Sequence, residues 1–137
     1  MEAVIQSLLA GFPVLALHLS ITLVILGVGA ATYAKITPYD ELGLIRKGNI
    51  AAALSFSGAL VGLALPLAVC MARSVNVWDI IVWGFITLVI QLIAYRIGDA
   101  LLRDLPKRIE AGETSAATLI VGIKLAIAMI NAAAVAG

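Results

Sequence analysis

The chain has 137 residues, of which 63% are hydrophobic and 12% charged, with a net charge of +1. Soluble domains carry roughly 45–50% and about 25%, and a soluble fold this small leaves too much surface in water to hide so much apolar area. The balanced charge gives no footprint for nucleic acid, and the single cysteine, Cys70, excludes an intramolecular disulfide.

In chain order, the first ten residues, MEAVIQSLLA, hold no Lys or Arg, so the charged region of a signal peptide is missing. The first span is predicted at about Phe12 to Tyr33 and is expected to be retained. A helix needs about 20 apolar residues to cross a bilayer, and three more windows qualify: about Ile50 to Ala72, Val77 to Leu102, and Thr114 to Ala136. Open strands would leave backbone groups unpaired in lipid, so the spans must be helices. The fold class is an all-α membrane protein.

Thr37-Pro38-Tyr39-Asp40 predicts a short helix start, with Thr as cap and Pro first, ended by Gly48. Leu42 and Ile45 are expected on the membrane surface, with Arg46 and Lys47 towards headgroups. A second short helix is predicted over Leu105–Ala111, ended by Gly112. Asn49 and Glu113 then stand at the starts of spans two and four as N-terminal partners. Lys and Arg concentrate in loops 34–49 and 103–113, leaving only Arg73 between spans two and three. Both loops are therefore expected to be cytoplasmic, with both termini outside. Trp78 and Trp83 are expected at the outer interface, and Tyr33, Tyr39 and Tyr95 at the inner one.

An internal match lies near 64 residues. Ile21–Ile25 recurs as Ile86–Ile90, Asp40 falls on Asp104, Gly48 on Gly112, Ala52-Ala53 on Ala116-Ala117, and Gly58 on Gly122. It predicts two tandem parallel units, 1–73 and 74–137, each with two spans and a short interfacial helix.

The stretch LIRKGNIAAALSFSGALVGLALPLA, Leu44 to Ala68, resembles the signature of domain-of-unknown-function family 350, the YjfL-like bacterial membrane proteins. IEAGETSAATLIVGIKLAIAMINAAA resembles that family's C-terminal repeat. The resemblance implies a bacterial inner-membrane location and, from gene neighbourhoods of some relatives, a link to envelope stress. It transfers no catalytic residue and no cofactor.

Close helix packing in lipid depends on small residues. Gly58 and Gly62 in span two, with Gly122 and Ala126 in span four, are the packing candidates, within the chain or in a homo-oligomer. Pro66 is expected to kink span two. Lys124 lies about ten residues into span four, near the bilayer midplane. A Lys there costs about 2.5–3.5 kcal/mol to insert and normally faces a bundle interior. Asn131, two turns on, shares its face, and Gln91 in span three is the expected pairing partner. His18 in span one completes the candidate polar site. No nucleophile–base set is present and the only His cannot build a metal site, so no enzyme, metal or cofactor is expected. Two functional readings follow. One is a structural or envelope-stress membrane component working with itself or a membrane-stress protein. The other is a small oligomeric channel or transporter lined by Lys124, Gln91 and Asn131.

Overall fold

The computed structural model describes residues 1–137 as six helices without strands. Four are long and apolar enough to span a bilayer: α1 (Glu2–Ile36), α3 (Ile50–Arg73), α4 (Val77–Leu101) and α6 (Thr114–Ala136). The short helices α2 (Glu41–Arg46) and α5 (Leu105–Glu110) cover one end of the bundle. At the other end lies the Ser74–Asn76 turn between α3 and α4. α3 pairs most closely with α6, and both α3 and α4 touch every other long helix, so α1 and α6 stand at opposite corners.

Three of the predicted spans match α3, α4 and α6 to within one residue at each end. α1 is longer than its predicted span, because nothing in its first ten residues breaks a helix. Its 35 residues reach about 52 Å, and its first turns are exposed all round. α3 is one continuous helix through Pro66, whose ring is buried.

The first short helix starts later than predicted. Thr37 closes α1 instead, its hydroxyl and its N–H both donating to the Tyr33 carbonyl, at 2.8 and 3.0 Å. Asp40 is the cap of α2, accepting from the Gly43 N–H at 3.0 Å. Ile45 does not lie on the membrane surface. It packs, with Leu44 and Leu102, against a core of Tyr39, Ala51, Ala52, Leu105, Ile109 and Ala117, while Leu42 remains exposed. Gly48 and Gly112 sit at φ +85 and +78, a region only glycine enters freely, and so let each short helix turn into the next span.

Asn49 caps α3 by accepting from the Ala52 N–H at 2.9 Å. Its amide also donates to the carbonyls of Ile109 and Glu110, tying α3 to α5. Glu113 occupies the cap position of α6, but its side chain makes no capping hydrogen bond. Its carboxylate is held by both Nε and Nη2 of Arg108 at 2.7 Å, which keeps it below the usual carboxylate range.

Trp78 and Trp83 are exposed on α4, as an interfacial belt requires. Tyr33 and Tyr95 correct the expectation of an inner belt. Both are enclosed in the bundle, edge to face with ring centroids 5.8 Å apart, because each hydroxyl has a buried partner that outweighs headgroup water.

Candidate intramembrane polar site

Lys124 is only 1% exposed. Its ammonium donates to the Tyr33 hydroxyl at 2.5 Å and lies 3.6 Å from the Asp99 carboxylate. It also sits over two aromatic faces, 4.6 Å from the Tyr33 centroid and 5.4 Å from that of Tyr95. Such cation–π contacts gain strength when desolvated. Tyr33 passes the arrangement to α2 by donating to Glu41 Oε1, which also accepts from Tyr39, both at 3.2 Å. Tyr95 donates to the Ala59 carbonyl at 2.9 Å. One side chain of α6 thus reaches between α3 and α4 to join the opposite corner of the bundle.

The expected Lys124–Gln91 pair does not form. Helical side chains lean towards their own N-terminus, and for α6 that is the end covered by α2 and α5. Lys124 therefore leans towards Asp99 and Tyr33, which lie near the C-terminal ends of α4 and α1. Gln91 is brought together with Asn131 instead, whose amide donates to Gln91 Oε1 at 3.0 Å and to the Thr87 carbonyl at 3.3 Å. His18 joins neither group. It lies on α1 fifteen residues before Tyr33, about 22 Å along the helix.

The packing glycines split in the same way. A methyl group on Gly58 would strike the Val121 side chain, and one on Gly62 would strike the Tyr95 hydroxyl, so both admit close neighbours. Gly122 and Ala126 do not pack within the chain: both face outward, with open space around Gly122. The buried positions of α3 and α6 correspond at a shift of 65, not 64. Ala51 and Ala116, Ala52 and Ala117, Ala59 and Lys124, Leu63 and Ala128, and Leu67 and Ala132 form the matching pairs. One residue is about 100° of rotation, enough to turn Gly122 out.

Asp99 and Glu41 were not singled out from the sequence. A signal existed for Asp99, because Thr87, Gln91, Tyr95 and Asp99 recur every four residues and so share one face of α4. Nothing comparable marks Glu41, whose burial follows from the packing of α2.

Burial lifts the Glu41 carboxyl above the usual carboxylate range, and the Lys124 charge and the tyrosine hydroxyls offset this only in part. Burial raises the Tyr39 hydroxyl as well, keeping it a donor. A carboxyl so raised binds its proton more tightly folded than unfolded. Its contribution to stability is complete below the unfolded value and is lost as pH rises through the folded one. Glu41→Gln, which copies the protonated form, is expected to flatten the stability–pH curve above the ordinary value of 4.5. Unfolding in detergent across that range checks this; an unaltered slope would mean Glu41 titrates as a solvated acid.

The four spans thus surround a charged interior, closed at one end by the short helices. The family model for Domain of Unknown Function (DUF350) matches residues 7–135. The chain belongs to this family. The UPF0719 inner membrane protein YjfL of Escherichia coli (strain K12) is 38% identical over 101 residues, covering 74% of this chain and 76% of that protein. YjfL of Escherichia coli O157:H7 matches to the same extent. No solved structure matches. Family membership and the four spans make this an integral inner-membrane protein.

Proposed function

We propose that this protein is a non-enzymatic structural component of the inner membrane, and that the Lys124 cluster fixes the arrangement in which it presents its surfaces. The observation that carries this reading is the enclosure of Lys124: its charge meets Asp99, Tyr33 and Tyr95 within the chain. Catalysis has little support, because Cys70 and His18 sit on different helices and neither is joined to a base. The exposed small residues Gly122 and Ala126 on α6 offer a close-approach face to a second copy or to a membrane-stress protein. Gentle detergent purification, with mass measurement and identification of bound proteins, tests this. More than one copy, or a stoichiometric membrane partner, is the expected result. A lone chain without partners in native-like lipid would overturn it.

A further inference from the structure

A file of buried polar side chains runs along the bundle, with a groove or cavity at each end. Towards the Ser74–Asn76 end, an open groove of about 460 Å³, walled on one side by Trp83, Ile86 and Ile90, leads from Arg73 and Asp79 to Thr87 and Asn131. At the α2–α5 end, a cavity of about 250 Å³ is bounded by Tyr39, Arg96, Asp99 and Asp104. Thr87 and Asp99 are twelve residues apart on α4, about 18 Å of helix. The gap between the groove and the cavity is filled by polar groups: Asn131 and Gln91, then Tyr95, Lys124 and Tyr33, with Glu41 and Tyr39 beyond.

Four enclosed side-chain atoms accept or donate no hydrogen bond within the protein: Thr87 Oγ1, Gln91 Nε2, Glu41 Oε2, and Asp99 Oδ1, which meets the Lys124 ammonium only at ion-pair distance, 3.6 Å. All four lie on this file. Each such group costs about 1–3 kcal/mol while it stays unpartnered. Buried polar groups of this kind are ordinarily satisfied by water with two to four partners. Ionisable chains inside membrane helices mark ion pathways, voltage sensors, counter-ions of ligands and proton relays, the last built from chains of such groups.

We propose that this bundle is a proton pathway, carrying protons between the groove and the α2–α5 cavity through water held by Thr87, Gln91 and Asn131 and through the Lys124–Asp99 pair. A proton from the α2–α5 cavity adds to the Asp99 carboxylate. Lys124 gives a proton onward to water beside Gln91, forming hydronium, and the Asp99 carboxyl then returns its proton to the Lys124 amine. One proton enters and one leaves; both groups are restored, and nothing is oxidised or reduced. The charged and titratable groups facing Lys124 are Asp99, Arg96 and Tyr95 of α4, Tyr33 of α1 and Glu41 of α2. A fixed ammonium in a narrow path opposes the passage of free cations, and a proton handed on through the ammonium itself need not pass it as one. This goes beyond the structural reading: the pair that holds the helices is also the relay.

The test is the full chain in phosphatidylethanolamine–phosphatidylglycerol vesicles that trap a pH-sensitive dye, with a potential imposed by potassium and valinomycin. Dye acidification at least tenfold faster than in protein-free vesicles is expected. Thr87→Val removes a hydroxyl without a partner, so it keeps the fold while cutting that flux at least fivefold. Gly27→Ala, on the exposed side of α1 with nothing within 4 Å, leaves it unchanged. Circular dichroism of each reconstituted variant confirms that helix content is retained. Flux no faster than in empty vesicles, or equal in wild type and Thr87→Val, would overturn the proposal. Purification mass and partner content read the structural proposal separately, so either can fail alone.

Discussion

Lys124→Met is expected to destabilise the bundle by about 3–5 kcal/mol, the range for removing one member of a buried ion pair. The substitution keeps length and apolar bulk, so little packing is lost. What it leaves is a carboxylate at Asp99 whose remaining cationic neighbour, Arg96, is 3.9 Å away with a half-exposed side chain. It also leaves Tyr33 and Tyr95 without the cation between them. The double variant Lys124→Met/Asp99→Leu removes both charges and is expected to recover most of the loss, since apolar replacement of a whole buried pair is often neutral or better. Unfolding titrations in mixed micelles, followed by circular dichroism, measure both. A loss below about 1 kcal/mol for the single variant would mean that Asp99 is satisfied by solvent and that the pair is not a fixture of the fold.

The spans were legible because lipid simplifies the problem. A bilayer leaves helix as the only solution for an isolated apolar stretch, so the length and hydropathy of Ile50–Ala72 or Thr114–Ala136 are nearly sufficient. They carry no information on how far a helix runs beyond the lipid, which is why nothing in them marks the extension of α1 to Glu2. Gly48 and Gly112 were legible as turns because their φ values need glycine. Lys124 was legible as buried because its insertion cost demands a partner. The partner was not, since depth alone favoured Gln91 and the lean of a helical side chain decided for Asp99 and Tyr33. Tyr33 and Tyr95 misled for a related reason. An aromatic with a hydroxyl suits an interface and a buried hydrogen bond equally well, and only the neighbouring helix chooses. An offset of 64 pairs Gly48 with Gly112, both at positive φ, yet it misplaces Gly122 because burial follows helix rotation and not alignment.

Gly62→Ala is expected to cost about 1–3 kcal/mol, the usual range for overpacking a filled core. A methyl group there would meet the Tyr95 hydroxyl oxygen far inside contact distance, with the ring carbon that bears it at 3.1 Å. Tyr95 cannot swing aside freely, because its hydroxyl donates to the Ala59 carbonyl and its ring packs against Tyr33. Moving it breaks that hydrogen bond and opens one aromatic wall around Lys124, so the strain at α3 reaches the charge cluster. Tyr95→Phe deletes the clashing oxygen and should restore part of the loss when combined with Gly62→Ala. The two changes are therefore non-additive, as expected for side chains in contact. Gly122→Ala adds the same methyl group to α6 where nothing lies within 4 Å, and helix propensity alone would favour it slightly. A thermal unfolding series of these variants in one detergent separates the two glycines. Equal effects at Gly62 and Gly122 would refute the packing contrast, because the sequence presents both as small residues in matching spans and only their neighbours differ.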